Sequence, residues 1–395
     1  MSRPLDGVVV LDLTRFVAGP FCCLQLADLG ADVIKVEIPK TGDEGRQIGP
    51  FHKGWSLYFT THNRNKRGIT LNLRDSKGKE LFRELVARAD VVVENYRPGV
   101  LDNLGFGFGT LTALKPGIIL TSISGFGQTG PASKRAGFDQ IAQSMSGIMD
   151  VTGFPDGPPV KVGTHVADYL TGVYAALATC AALTERARTG QGRHVDCALY
   201  DSMVSFLGLD LVGYAATGVA RQRSGNSIGI SVPVNLYRTK DGYVVVNAGV
   251  DAHWRQLAEL IGRPELADDP RFRTRPDRVA NADECDRVVE AWTATMTSAE
   301  LCDVLEREGI AYGPFRTISE VATDENTLAR RMLIEVENPS LGRIPALGSA
   351  IKIDGVPEPP PIDAPLLGQH NAEIYVEWLG HSRGELAQWQ EAGIV

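Results

Sequence analysis

The 395-residue chain carries 48 acidic and 40 basic side chains, for a net charge of −8, and is 43% hydrophobic. That length and that ordinary globular composition predict two domains with room for a large core. The acidic balance excludes nucleic acid as the main partner, because a phosphate backbone needs a basic face, while leaving room for a small anion held by a local cluster.

Gly7–Leu13 (GVVVLDL) reads as a buried strand, broken by Ala18-Gly19-Pro20. A helix over Phe21–Leu29 and a strand over Asp32–Glu37 follow, a βαβ opening that predicts a parallel sheet. The G-x-G-x-x-G turn of a dinucleotide site is absent, which argues against a nicotinamide enzyme although Glu37 stands where a ribose acid would. Further strands are expected at Gly68–Leu73, Asp90–Glu94 and Gly117–Ser122, with an amphipathic helix over Lys77–Ala89 and helical segments over Gly137–Asp150 and about Asp168–Arg186. The last helix is rich in Ala and Gly and suited to close packing.

From about Gly218 the texture changes. Arg221–Ile230 reads as a linker or mobile loop, and Tyr237–Gly249 as a hairpin turning at Asp241-Gly242. Helices near 251–261, 279–295 and 298–308 make a smaller α+β unit, before strand-like 333–353, a proline-rich tether at 356–365 and terminal helices over 368–391. The six cysteines show no metal spacing or C-x-x-C pair, which predicts reduced thiols. With no secretory leader at Met1–Asp6 and no uncharged apolar run of about 18 residues, the expectation is a cytoplasmic protein away from membranes.

Ligands of an open parallel sheet bind beyond the carboxyl ends of its strands. Arg64, Lys66 and Arg67 precede the third strand, Arg74 follows it, Asn95 and Arg97 follow the fourth, and Lys134 and Arg135 follow the fifth. The groups after the third, fourth and fifth strands are therefore expected to converge, with donors suited to phosphate. The seven histidines have no ligand spacing, and neither a P-loop nor a G-x-S-x-G elbow is present, so chemistry falls to a carboxylate. Asp168 heads an apolar run. Two readings stand side by side: a helix N-cap, or a nucleophile in a dry pocket. Both agree if helix N–H dipoles hold the group ionised.

Several fragments now combine: VLDLTRFVAGPFC, LADLGADVIKVE, NRNKRGITLNL, ADVVVENYRPGV, SISGFGQTGP, TGQGRHVD and PLLGQHN. As a set the chain resembles the class III CoA-transferases, typified by formyl-CoA transferase, and the related 2-methylacyl-CoA racemases. The resemblance implies an α/β fold with a Rossmann-like, open-sheet CoA-binding domain at 1–215, a small α+β domain with linkers at 216–332, and a return to the large domain at 333–395. It implies an interlocked homodimer, acyl-CoA donor and carboxylic acid acceptor as partners, CoA thioester as substrate, and no permanently bound cofactor or metal. The family's acyl-carrying Asp falls on Asp168. Its CoA contacts fall on Val17 and Ala18, on Leu71, Asn72, Leu73 and Arg74, on Asn95, Tyr96 and Arg97, and on Ala136, Gly137, Phe138 and Asp139.

Two departures stand out. Ile38 occupies the place of a common phosphate-binding Arg, with Lys40 two residues on, and Ser224–Gly229 replaces a glycine run over the Asp, which argues against formyl-CoA and oxalate. The racemase branch needs a second acid/base, a His in A-G-H-D. Here the sequence is Ala136-Gly137-Phe138-Asp139, and phenylalanine moves no proton, so transferase is favoured over racemase. Arg15, Arg46, His165 and Arg223 are candidates to meet a second carboxylate on the acyl group.

Overall fold

The structure, a computed structural model, describes residues 2–338 and 340–395. Its contacts divide the chain into two compact units. The first takes residues up to Ile148, Lys161–Ala216 and Glu325–Val395, and the second takes Met149–Val160 and Thr217–Asp324.

The first unit is built on a six-stranded parallel sheet. Its strands are β1 Val9–Asp12, β2 Asp32–Glu37, β3 Arg67–Thr70, β4 Val91–Glu94, β5 Ile119–Ser124 and β6 His194–Ala198. The order across the sheet is β3-β2-β1-β4-β5-β6, the Rossmann order. The inner strands β1, β2, β4 and β5 are buried almost throughout and rich in Val, Ile and Leu, whereas the edge strand β6 is partly exposed.

The helices of this unit that matter here are α1 Ala18–Asp28, α2 Leu57–Asn63, α3 Ser76–Arg88, α4 Asp139–Ser146, α5 Val166–Thr189, α6 Leu199–Leu207 and α7 Leu209–Thr217. α1 begins at Ala18, three residues before the sequence expectation, and Pro20 sits inside it. A proline in the first turn has no N–H that the helix requires, so Ala18-Gly19-Pro20 opens the helix rather than delaying it. Asp75 caps α3 by accepting the N–H groups of Lys77 and Gly78.

α5 crosses α1 closely. A Cβ on Gly172 would stand 2.8 Å from the Ala18 carbonyl oxygen, so only glycine allows this approach. Phe21 meets Tyr169 edge-on at 4.8 Å. By length and composition α5 is apolar enough to cross a membrane. Within this unit it packs on α1, α6, β5 and β6 and leaves Val173 and Leu177 exposed.

β3 is a sheet edge, and the fragment PLLGQHN closes it. His370 exchanges two hydrogen bonds with the Gly68 backbone. Asn371 Oδ1 accepts the Thr70 N–H at 2.9 Å, and the Tyr375 hydroxyl donates to the Thr70 carbonyl. Side chains thus stand in for a missing strand.

The second unit holds an antiparallel sheet of β7 Val234–Arg238, β8 Tyr243–Asn247 and β9 Ala311–Pro314 in the order β9-β8-β7. The expected turn at Asp241-Gly242 joins β7 to β8. Its core gathers Trp254, Leu257, Val289, Leu301 and Leu305 from three helices over Tyr237, Val244 and Val246. The segment Arg221–Ile230 belongs here. Arg223 donates to the Phe154 and Gly157 carbonyls, and Gly225 N–H bonds the Gly153 carbonyl, so this stretch is fastened to 149–160.

Candidate active site

β1 and β4 are the neighbours at which the strand order reverses, so the loops leaving them diverge and open a crevice. A cavity of about 260 Å³ lies there. Its walls are Arg15–Ala18 after β1, Asn95–Pro98 after β4, Ile123–Gly125 at the end of β5, Arg135–Phe138, Leu199, and Asp168 from α5. The loop carrying Phe138 sits this close because Gly125 meets Gly137 face to face. A Cβ on Gly125 would stand 2.6 Å from the Gly137 Cα.

The cap reading of Asp168 needs correction. His165 holds the N-cap position of α5, and Asp168 lies three residues further on. The N–H groups of Ala167 and Asp168 are accepted instead by Asp139 Oδ1, at 2.8 and 3.4 Å. Asp139 Oδ2 accepts from Gln143 Nε2 at 2.7 Å, while Gln143 Oε1 accepts the Val162 N–H. α4 therefore caps α5 across the fold, a pairing with no local sequence signature.

With the cap supplied by Asp139, the Asp168 carboxylate has no hydrogen-bond donor among the described residues. Burial, and then the neighbouring Asp139 charge, push it up to about 7. The expectation that helix dipoles keep it ionised at low pH is thus reversed, because desolvation outweighs the dipole here. Phe138 is 61% exposed and meets Phe16 edge-on at 6.4 Å. His165 does not line the cavity.

The loop after β1 is held almost entirely by side chains. Asp12 accepts the N–H and hydroxyl of Thr14. Lys35 Nζ donates to the Thr14 carbonyl at 2.9 Å. Asn95 accepts the Arg15 N–H at 2.9 Å and donates to the Arg15 carbonyl at 2.7 Å. Asp43 accepts the Phe16 N–H at 3.4 Å. These bonds hold Phe16 at φ 67°, a left-handed conformation unusual for a bulky residue. The Asn95 side chain is thus engaged with the Arg15 backbone. Directly after the loop, α1 begins with no side-chain cap, so the N-terminal pole of α1 faces the cavity that holds Asp168.

Arg64, Lys66 and Arg67 do not join this edge. Arg64 forms a two-pronged pair with Asp28, and Lys66 bonds Asp12, Asn63 and the Pro20 carbonyl, both fully inside. Arg67 bridges Asp32 and Glu373. Arg46 is likewise taken by Glu37 and stacks on Phe59. Burial alone would raise Asp12, but Lys66 and Lys35 hold it below the usual carboxylate range.

A second cavity, of about 580 Å³, opens beyond β1, β2 and β3 and shares Arg15 and Tyr96 with the first. Leu71, Asn72, Leu73 and Arg74 line it, together with Ile38, Lys40, Ala392 and Gly393. Lys40 and Arg74 have no acidic partner among the described residues. Val17, Ala18, Asn95, Arg97, Ala136, Gly137 and Phe138 line the first cavity, and Tyr96 lines both. Lys134 lines neither. Ala392 and Gly393 arrive from the far end of the chain, and nothing in their sequence marks them.

This architecture matches a known family. The model of CoA-transferase family III covers residues 5–371. The chain belongs to that family. Among curated relatives, the succinyl-CoA–D-citramalate CoA-transferase of Chloroflexus aurantiacus is 40% identical, over the whole of this chain and 98% of its own. The succinyl-CoA:glutarate CoA-transferase of Mus musculus is 39% identical, over the whole of this chain and 90% of its own. A CaiB/BaiF family protein from Brucella suis, of known crystal structure, is 40% identical, superposes with a TM-score of 0.85 and covers 95% of this chain and 100% of its own. The family III chain described here is a CoA-transferase, an enzyme acting on CoA thioesters.

Proposed function

We propose that this family III enzyme moves CoA from a dicarboxylyl thioester of the succinyl-CoA type to a free carboxylic acid, with Asp168 as the covalent carrier. The observation that carries the reading is a carboxylate without a hydrogen-bond donor among the described residues, sharing a cavity with the uncapped end of α1. A carboxylate that is partly desolvated and lacks a hydrogen-bond donor is a better nucleophile, and its raised proton affinity expresses that. The succinyl-CoA donors named for two close relatives support the donor class.

The Asp168 carboxylate oxygen attacks the thioester carbonyl carbon, the C–S bond breaks, and an aspartyl anhydride and CoA thiolate result. The thiolate attacks the aspartyl carbonyl, releasing the donor acid and leaving an aspartyl-CoA thioester. The acceptor carboxylate attacks that thioester, giving a new anhydride and thiolate. Attack of the thiolate on the acceptor-derived carbonyl gives product acyl-CoA and restores Asp168. Each addition passes an oxyanion, and the N–H groups at the start of α1, which line the same cavity as Asp168, are its donors in this reading. The larger cavity, with Lys40 and Arg74, takes the phosphates of CoA, and Tyr96 and Arg15 flank the passage to Asp168. Lys40 thereby serves where the family commonly has an arginine. Asn95 and Asp139 act by holding the Arg15 backbone and the start of α5.

The racemase alternative lacks its second base, because Phe138 occupies that position beside the cavity. Incubation with succinyl-CoA and hydroxylamine or borohydride is expected to modify Asp168, read by peptide mass. Asp168→Ala retaining full CoA exchange would refute the mechanism. The exposed apolar residues Leu177, Phe206, Leu209 and Val212 on α5, α6 and α7 support association of two chains into the homodimer that the family resemblance implies. Leu177→Glu is expected to weaken it, as seen by light scattering.

A further inference from the structure

Resting on that reading, we infer that Arg135 is the specificity-determining residue that recognises the distal carboxylate of the acyl group. Three guanidinium groups belong to residues lining the Asp168 cavity: those of Arg15, Arg97 and Arg135. Arg15 is already neutralised by Glu44 at 2.6 Å and lies against the Tyr96 ring, at the passage to the CoA groove. Arg97 follows Asn95 and Tyr96 on the loop that borders both cavities. Arg135 comes from a different element, the loop between β5 and α4, three residues before Phe138. Its guanidinium stands 5.5 Å over the buried Phe126 ring, which restrains the side chain, and it has no acidic partner among the described residues.

Charge accounting favours the acyl group as its ligand. The phosphates of CoA have Lys40 and Arg74 in the other cavity. Beside a neutral acyl chain Arg135 would stay without a carboxylate partner among the described residues. A second carboxylate on the acyl group supplies one, through the paired N–H donors that guanidinium presents to a carboxylate. The remaining walls, Phe16, Val17, Ile123, Phe138 and Leu199, suit the short methylene spacer. At about 260 Å³ the cavity is slightly smaller than the roughly 300 Å³ at which ligand pockets commonly begin, which fits a short acyl group.

Succinyl-CoA and butyryl-CoA have the same chain length and differ in the distal carboxylate, so their ratio of kcat/KM isolates this contact. In Arg135→Gln that ratio is expected to fall by about 10- to 100-fold, the usual range for one charged hydrogen-bonding partner. Arg135→Lys should recover part of it. In the wild-type enzyme the same ratio should fall as salt rises, which tests the contact without a variant. A ratio unmoved by Arg135→Gln, with both donors weakened alike, would place Arg135 on CoA itself and overturn the inference. A ratio insensitive to salt in the wild type would do the same. A wild-type enzyme that exchanges no CoA with either donor would instead refute the proposed function.

Discussion

Two sets of cations in the first unit look alike in sequence and do different work. Lys35, Arg64 and Lys66 lie within the fold, each held by a buried carboxylate from a neighbouring strand or helix. Lys40, Arg74, Arg97 and Arg135 stand at the cavity walls with no such partner among the described residues. Lys35 and Lys66 brace the backbone at Thr14, directly and through Asp12, and Arg64 ties α1 through Asp28. On the proposed function the second set is left for a ligand. An arginine or lysine near a strand end is therefore informative only once its carboxylate is known, and that partner is often remote in sequence, 54 residues away for Lys66 and Asp12 and 306 for Arg67 and Glu373.

The comparison can be broken most forcefully at Lys66. Lys66→Met leaves Asp12 buried without its closest cation and should cost about 3–5 kcal/mol in urea unfolding. A loss below about 1 kcal/mol would mean that the internal pairs do not brace the site. At the walls the opposite outcome is expected. Arg74→Gln should raise KM for CoA about tenfold, the effect of about 1.4 kcal/mol, with the melting temperature unmoved. An unfolding defect there would remove the distinction between the two sets.

Asp139 sharpens the contrast from the acidic side. Asp139→Asn removes the charge next to Asp168 while keeping an acceptor for the α5 N–H groups. Activity that needs ionised Asp168 rises with pH through about 7 in the wild type, and the midpoint in kcat/KM should move down in the variant. The loss of stability should stay near 1 kcal/mol, as for a weakened cap. A midpoint that stayed put would show that Asp139 does not set the ionisation of Asp168.

Glu94 tests the contrast away from the cavities: it is buried at the end of β4 with the Tyr96 N–H at 2.7 Å and no salt-bridged cation among the described residues. Burial pushes it up to about 7. Between about 4.5 and 7 the folded state holds a proton that the unfolded state has lost, so this group contributes stability at low pH that fades as pH rises through that window. Glu94→Gln should flatten that part of the stability profile, measured by urea unfolding at pH 5 and pH 8. An unchanged profile would mean that Glu94 titrates normally.

Much of the sheet was legible. β2 spans the Asp32–Glu37 run read from sequence, and β1, β3, β4 and β5 fall within three residues of the ends of their apolar runs, because buried parallel strands are written as continuous β-branched segments; β6, with the sequence HVDCA, carries no such run. The helix starts were less legible. α1 opens through Pro20, and α5 opens at Val166 with its cap supplied by Asp139, a contact that forms only once α4 and α5 are packed together. Phe138 and Asp168 were both found as candidates, and the fold brings them to one cavity. Glycine spacing gave a hint of the rest, since Gly125, Gly137 and Gly172 each mark a place where two backbones nearly touch. That Arg64 and Lys66 are buried was not legible, because charge alone does not reveal depth.

The clamp on residues 14–16 bears on how fast the enzyme can work. Its bonds come from strand ends and loops that are already fixed when the sheet is formed, and they leave the backbone of Arg15 little freedom. A loop of that kind has no search to make when a thioester arrives. The ordering cost falls on folding, once per molecule, and not on every encounter. Turnover is then paced by chemistry or by product departure, and not by closure of this segment over the ligand.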